Sequence, residues 1–149
     1  MILLSRRGQL AVAAVVDIAM HARPLPVAAK ALAGRLELPP RRLESLLQGL
    51  VHANILKGVR GPRGGYELAR ERRRITVAAI LRAVANEAGS ESSGTPDCRL
   101  LRQVIAPLVE AAGEAFLEKL ETITIDEICR RAEDLKPSTE KGVGADFTI

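Results

Sequence analysis

The side chains best suited to chemistry lie in two arginine-rich stretches in the first half of the chain. One is the polar side of a predicted helix, with Arg41, Glu44, Ser45, Gln48 and His52 on one stripe and Arg42 beside Arg41 at the helix start. The other is a glycine-rich turn with the residues before it, namely Lys57, Arg60, Gly61, Arg63 and Gly64. Arginine and lysine bind phosphate groups, and glycine allows a backbone to approach a ligand closely. Both stretches indicate a polyanion-binding surface, with an ordinary solvated surface as the alternative.

The distribution of charge supports a polyanion-binding first half. Residues 1–75 contain fourteen Lys and Arg against five Asp and Glu, a net charge of +9, whereas residues 76–149 have a net charge of −5. The whole chain carries +4. A basic part joined to an acidic part is typical of a nucleic-acid-binding head attached to a segment with a different task.

The sequence lacks the motifs of several other functional classes. No glycine loop opens a helix to hold phosphate and no nucleophile–base pattern occurs, so the chain is not predicted to be an enzyme. The aromatic residues Tyr66, Phe116 and Phe147 are too few for a platform that binds single-stranded nucleic acid. With only two cysteines in the chain, no metal site is predicted. Because no apolar run approaches the roughly 20 residues that cross a bilayer, we expect a cytoplasmic protein.

The elements that must position the arginine-rich stretches form a predicted winged helix-turn-helix, a mainly α fold. In chain order they are helices over residues 5–22 and 27–36, a helix from Pro40, strands over 55–60 and 66–70, and a helix from Thr76. The helix from Pro40 is predicted to bury Leu43, Leu46, Leu47, Leu50 and Val51. Three helices followed by a glycine-tipped hairpin is the element order of a winged helix.

The second half of the chain has a different organisation. We divide the chain into a winged DNA-binding domain over residues 1–86, a linker or sensor loop over 87–97, a long helix plus a C-terminal helix over 98–135, and a disordered tail over 136–149. Pro107 is expected to kink or restart the long helix. Thr124 and Glu127 match a capping box that begins the last helix.

The long helix carries one apolar stripe that must be buried. Its residues are Leu101, Val104, Ile105, Leu108, Ala112, Phe116, Leu120 and Ile123. Burial against a second copy of the chain predicts a homodimer, and a helix that folds back on its own domain is the alternative.

Three parts of the sequence resemble the Rrf2 family of bacterial winged helix-turn-helix transcriptional regulators. They are the opening Leu3-Leu4-Ser5-Arg6-Arg7-Gly8 with Ala11-Val12 and Asp17-Ile18-Ala19, the pair Leu43-Glu44, and residues 59–69 followed by Ile75-Thr76-Val77. The segment 59–69 is the most specific of the three, because it carries Arg-Gly-Pro-x-Gly-Gly-Tyr soon after a helix-turn-helix. The resemblance extends through Ile123-Thr124-Ile125.

The resemblance implies a homodimer that binds a pseudo-palindromic site in double-stranded DNA, and we expect the protein to act as a repressor. It implies that Glu44 contacts base edges in the major groove, with Ser45 and Gln48 as neighbouring candidates and Arg41 and Arg42 at phosphate or guanine. In the same docking, Arg60 and Arg63 would enter the minor groove, and Arg6, Arg7 and Lys57 would bind phosphate. Arg63 stands where the family usually has glycine.

The signal that controls the protein is left open by the sequence. Many members of the family hold an iron–sulfur cluster with three cysteines in the loop before the long helix, but the loop over residues 89–97 has none. No cofactor is therefore predicted. Cys98, beside Arg99, is a candidate redox-sensing thiol. One alternative is that Cys98 is inert and that a small molecule, a partner protein or the expression level controls the protein. Another is an iron–sulfur cluster held by unusual ligands. The alternative to DNA binding itself is a winged helix used for protein–protein contact.

Overall fold

The computed structural model describes residues 5–87 and 99–135 and confirms a mainly helical chain with one small sheet. Six α-helices and two strands occur in this part of the chain. In chain order they are α1 (Arg6–His21), α2 (Ala29–Leu36), α3 (Pro40–His52), β1 (Leu56–Val59), β2 (Gly65–Leu68), α4 (Val77–Glu87), α5 (Ala106–Glu121) and α6 (Ile125–Asp134). No helix among these described residues is both long and apolar enough to span a membrane. The predicted linker over 87–97 and tail over 136–149 lie largely outside the described residues.

Helix α1 forms the centre of the winged head. Ser5 caps its start, because the hydroxyl accepts a hydrogen bond from the Gly8 backbone N–H at 3.1 Å. Its buried side is built from small and branched residues at helical spacing: Ala11, Ala14, Val15 and Ile18. The helix ends at His21, just before Pro24, which cannot continue the hydrogen-bond ladder. The predicted helix over residues 5–22 is confirmed.

The second helix begins two residues later than predicted. Val27 is not helical, because it exchanges two backbone hydrogen bonds with Tyr66, at 2.9 and 2.8 Å. The chain before α2 therefore pairs with the edge of the hairpin and ties the helix-turn-helix to the wing. A non-local pairing of this kind overrides the helical periodicity of residues 27–36.

Helix α3 has the predicted two-sided character. Leu43, Leu46, Leu47 and Leu50 are buried in the common core, as expected. Val51 was wrongly predicted to be buried and is 37% exposed. It lies near the end of the helix, where the chain turns toward β1.

The wing is a two-stranded antiparallel hairpin. Its register runs from the pair Leu56 and Leu68 to the pair Val59 and Gly65, so both strands are shorter than predicted. Gly65 lies against the chain before α2, since a Cβ atom there would sit 2.2 Å from the Val27 carbonyl oxygen. Only glycine therefore allows the hairpin to pair with Val27.

Helices α4 and α6 complete the head, and both start at threonine caps. The Thr76 hydroxyl accepts from the Ala79 N–H at 3.1 Å, and the Thr124 hydroxyl accepts from the Glu127 N–H at 3.2 Å. Val77, Ile80, Leu81 and Val84 are buried. Helix α6 was grouped with the long helix over residues 98–135, but it packs on α1, and its Ile125 and Cys129 lie in the core of the head.

A buried carboxylate anchors α6. Asp126 is 8% exposed and pairs with Arg72 at 3.0 Å and with Arg130 at 3.1 Å. Its backbone N–H also donates to the Arg72 carbonyl at 3.1 Å. Two arginines and a backbone bond compensate for the burial of this charge, which fixes α6 against the chain that follows the wing.

Pro107 shapes the long helix without ending it. A π-helical turn spans Leu101–Ile105 and is followed directly by α5, with the proline in its first turn. Proline removes one N–H donor and its ring crowds the carbonyl four residues earlier, and a wider turn relieves both effects. The kink or restart predicted at Pro107 is therefore observed as a π-helical turn before it.

Candidate nucleic-acid interface

One face of α3 presents all five predicted polar residues to solvent. The four buried leucines fix the orientation of the helix, and the opposite side is exposed. The exposed residues are Arg41, Arg42, Glu44, Ser45 and Gln48. This face offers cationic, carboxylate, hydroxyl and amide groups over about two helical turns, the set of groups that contacts bases and phosphates in duplex DNA.

Arg7 contacts α3, and its predicted contact with phosphate stays a prediction. Its Nη2 atom donates a long hydrogen bond to Ser45 Oγ at 3.4 Å, across 38 residues of sequence. Arg7 is half-buried, whereas its neighbour Arg6 is exposed. The two arginines therefore differ in geometry, and Arg7 helps to position a side chain of the polar face.

The tip of the wing is shaped by glycine. Gly61 has φ of +116°, a conformation that side chains disfavour, and its carbonyl accepts from the Gly64 N–H at 2.9 Å. A Cβ atom at Gly64 would lie 2.2 Å from the Val59 carbonyl oxygen. Arg60 and Arg63 are both exposed on this tight turn. The glycines thus hold the two guanidinium groups on a narrow projection.

Lys57 forms an ion pair within the wing. Its ammonium lies 2.9 Å from the Glu67 carboxylate, and the two residues are directly opposite each other in the hairpin. The side chain is nevertheless 61% exposed. A pair this open contributes little to stability and can exchange Glu67 for a phosphate oxygen.

The sequence analysis missed that helices α2 and α3 begin without a side-chain cap. Helices α1, α4 and α6 begin at hydroxyl caps, whereas α2 and α3 begin after Ala28 and Pro39 with no side-chain cap. Lys30 is exposed in the first turn of α2. Backbone N–H groups at an uncapped helix start favour phosphate. The absence of Ser, Thr, Asp and Asn before Ala29 was the available signal.

The apolar stripe of the long helix divides into two parts. Phe116 and Leu120 are half-buried on the side of α5 that packs against α4, and Ile123 accepts a backbone hydrogen bond from Val77 at 3.0 Å. Ala112 is exposed. Large apolar side chains near the start of the helix are also exposed: Leu100 at 60%, Val104 at 49%, Ile105 at 39%, Leu108 at 66% and Val109 at 59%.

Comparison of the chain with known protein families gives a match over most of its length. The Rrf2 family model, described as an iron-dependent transcriptional regulator, matches residues 4–131. The chain belongs to the Rrf2 family. It is therefore a transcriptional regulator and not an enzyme, which confirms both predictions.

Individual Rrf2 proteins agree with this assignment. The HTH-type transcriptional regulator IscR of Vibrio parahaemolyticus is 28% identical over 147 residues, which cover 97% of this chain and 88% of the relative. The structure of T. potens IscR is 34% identical with a TM-score of 0.69, covering 89% of this chain and 90% of that one. The structure of the cysteine regulator CymR of B. subtilis, 24% identical, shows the same winged fold, with a TM-score of 0.65 over 85% of this chain and 95% of that one.

The iron dependence of the Rrf2 family description does not fit the residues of this chain. The sequence has two cysteines, and one of them, Cys129, is fully buried in the core. Burial raises the pKa of the Cys129 thiol, while nearby Arg72 acts in the opposite direction. Within residues 5–87 and 99–135, no three His, Cys, Asp or Glu side chains come together as a metal site. Cys98 lies outside the described residues, so its prediction as a redox-sensing thiol stays a prediction.

Proposed function

We propose that this Rrf2 regulator binds a specific pseudo-palindromic site in double-stranded DNA as a homodimer and acts as a repressor. The observation that carries the proposal is the exposed polar face of α3, followed in the same head by a wing that holds two arginines on a tight glycine turn. The net charge of +9 over residues 1–75 supports an anionic partner for this surface.

Helix α3 is the element that we assign to the major groove, which admits an α-helix. Glu44 can accept a hydrogen bond from cytosine N4, and Ser45 and Gln48 can bond to neighbouring base edges. Arg41 and Arg42, in the first turn, are placed to bind phosphate or guanine. Arg7 donates a hydrogen bond to Ser45 of this face, and its predicted contact with phosphate stays part of the proposal.

The wing and the uncapped helix starts supply the remaining contacts in the proposal. Arg60 and Arg63 enter the minor groove, where a narrow groove concentrates negative potential. Gly61 and Gly64 allow the backbone to approach the DNA. Arg6, Lys57 and the start of α2 with Lys30 bind phosphates, which orient the protein without selecting a sequence.

The exposed part of the long helix supports the homodimer in this proposal. Five large apolar side chains between Leu100 and Val109 are between 39% and 66% exposed in the single chain. A patch of this kind on a regulatory protein marks an interaction surface. A second copy that packs on the same surface buries both patches at once and places two α3 helices on one duplex.

We propose that a signal other than an iron–sulfur cluster controls the activity of the protein. Of the two thiols, Cys98 is the one that we propose as redox-responsive, since Cys129 is buried in the head. Titrations of operator DNA with oxidised wild-type and oxidised Cys98→Ser protein decide this point, because equal affinities would leave Cys98 without a sensing role.

Two substitutions test the docking mode, because they remove different kinds of contact. We expect Arg60→Ala to weaken binding to the operator by roughly tenfold, since a minor-groove guanidinium is lost. We expect Glu44→Ala to change affinity for the operator modestly but to relax discrimination at one base pair, worth about 1–3 kcal/mol. Gel-shift titrations against the operator and single-base variants measure both effects.

The control for these substitutions is Glu118→Gln, on the exposed side of α5. It should leave both affinity and base preference unchanged. Wild-type titration curves for Arg60→Ala together with wild-type base preference for Glu44→Ala would contradict the assigned docking.

A further inference from the structure

Arg7 is held in a fixed place beside the polar face of α3. It lies in the first turn of α1, and the start of this helix is fixed by the Ser5 cap. The next residue, Gly8, approaches α4 so closely that a Cβ atom there would lie 2.8 Å from Leu81 Cδ2. The Nε atom of Arg7 is buried. An arginine that is buried along its stem loses less side-chain entropy when its guanidinium makes a further contact.

The Ser45 hydroxyl uses only part of its hydrogen-bonding capacity within the protein. A hydroxyl has one proton to donate and two lone pairs that accept. Arg7 Nη2 donates to Ser45 Oγ at 3.4 Å and so occupies a lone pair. Within residues 5–87 and 99–135, no other group hydrogen-bonds to this side chain, including the Arg41 carbonyl one turn earlier, where helical serines often donate. The proton of this exposed hydroxyl is therefore left for a group outside the protein.

The positive charge of Arg7 favours the same direction of hydrogen bonding. A guanidinium has five N–H donors and no acceptor, so it attracts acceptor groups on a base and disfavours amino groups. A hydroxyl that accepts from a cation also becomes a stronger donor, because hydrogen bonds in a chain polarise one another. The contact with Ser45 uses one of these N–H groups, so the phosphate contact proposed for Arg7 is compatible with it.

We propose that Arg7 is a positioning residue that makes Ser45 a hydrogen-bond donor toward the base that it faces. This inference rests on the proposed function, in which α3 enters the major groove. There, guanine N7 and O6 and thymine O4 are acceptors, whereas cytosine presents the amino group N4. Ser45 therefore selects guanine or thymine and rejects cytosine. The adjacent Glu44 selects the opposite group, since its carboxylate accepts from cytosine N4.

The test is titration of the full chain against the site that it selects from random duplexes, with single bases changed symmetrically in both half-sites. Ser45→Ala identifies the base pair that Ser45 contacts, because discrimination falls at that position. There we expect the wild type to bind guanine or thymine at least about fivefold more tightly than cytosine. Arg7→Met, which keeps an unbranched stem without the charge, should reduce this ratio to below about twofold.

The ratio between bases separates this role of Arg7 from contact with phosphate. Loss of a phosphate contact weakens binding to every sequence alike and leaves the ratio unchanged. Arg6→Met, at the exposed neighbouring position, is the matched control and should lower affinity without a change in the ratio. Arg7→Lys keeps a cation and should retain part of the preference. The double variant Arg7→Met/Ser45→Ala should discriminate as Ser45→Ala does, because the arginine acts through the serine.

Several results would overturn the inference while leaving the proposed function intact, because the chain still binds its operator in each of them. One is an Arg7→Met protein with the base preference of the wild type. Another is a Ser45→Ala protein with unchanged discrimination at every position. Additive effects of the two substitutions on the ratio, or a wild-type preference for cytosine at the Ser45 position, would also overturn it. A wild-type chain that selects no site would instead overturn the proposed function together with this inference.

Discussion

Replacing Gly65 with alanine should lower the free energy of unfolding by about 3 kcal/mol. The added Cβ would lie 2.2 Å from the Val27 carbonyl oxygen, 2.5 Å from the Val27 carbonyl carbon and 2.8 Å from the Ala28 nitrogen. All three atoms belong to the backbone, so no side-chain rotation can relieve the overlap. The chain must instead break the two hydrogen bonds between Val27 and Tyr66.

Urea unfolding followed by circular dichroism measures this effect, and Gly58→Ala is its matched control. Gly58 lies in the same hairpin, but a Cβ atom there has no neighbour within 4 Å. Its substitution should change the free energy of unfolding by less than about 1 kcal/mol. Equal stabilities for the Gly65 and Gly58 variants would contradict the close contact between the wing and the chain before α2.

Replacing Leu108 with glutamate should abolish the proposed dimer and reduce operator affinity by at least about a hundredfold. Leu108 is 66% exposed in the single chain and has the largest exposed fraction among the large apolar residues of α5. A carboxylate buried in an apolar interface without a partner costs several kcal/mol. Each head would then bind its half-site alone, without the local concentration that a linked second head provides.

Sedimentation equilibrium and gel-shift titration measure the two effects, with Leu108→Met as the control. Methionine keeps the volume and apolar character of leucine, so this variant should remain a dimer with operator affinity close to that of the wild type. Both variants should retain the helical circular dichroism of the head, because Leu108 lies outside the core. A Leu108→Glu protein that remains a dimer would refute this interface.

The head could be predicted from the sequence because its signals are local. The spacing of apolar residues located α1, α3 and α4, and the threonines at 76 and 124 marked the starts of α4 and α6. The errors occurred where distant contacts decide the structure. Val27 pairs with Tyr66, 39 positions away, and the position of α6 depends on the buried pair between Asp126 and Arg72.

The residues of the candidate site could be predicted from the sequence, but the contacts that position them could not. The polar face of α3 follows from its buried leucines, and all five predicted residues are exposed. The contact from Arg7 to Ser45 depends on the packing of α1 against α3, which no local pattern encodes. The sequence likewise predicts one uniform apolar stripe on the long helix, whereas the packing of α4 half-buries Phe116 and leaves Leu108 exposed.

The most direct test of a dimeric DNA-binding regulator is selection of duplexes from a random pool by the full wild-type chain, followed by titration of the selected site at increasing salt. We predict a two-fold symmetric consensus with half-sites about one helical turn apart. Affinity should fall about a thousandfold between roughly 50 and 200 mM salt, as counterions are released from the phosphates. A chain that enriches no sequence, and whose binding to duplex DNA does not respond to salt, would contradict the account.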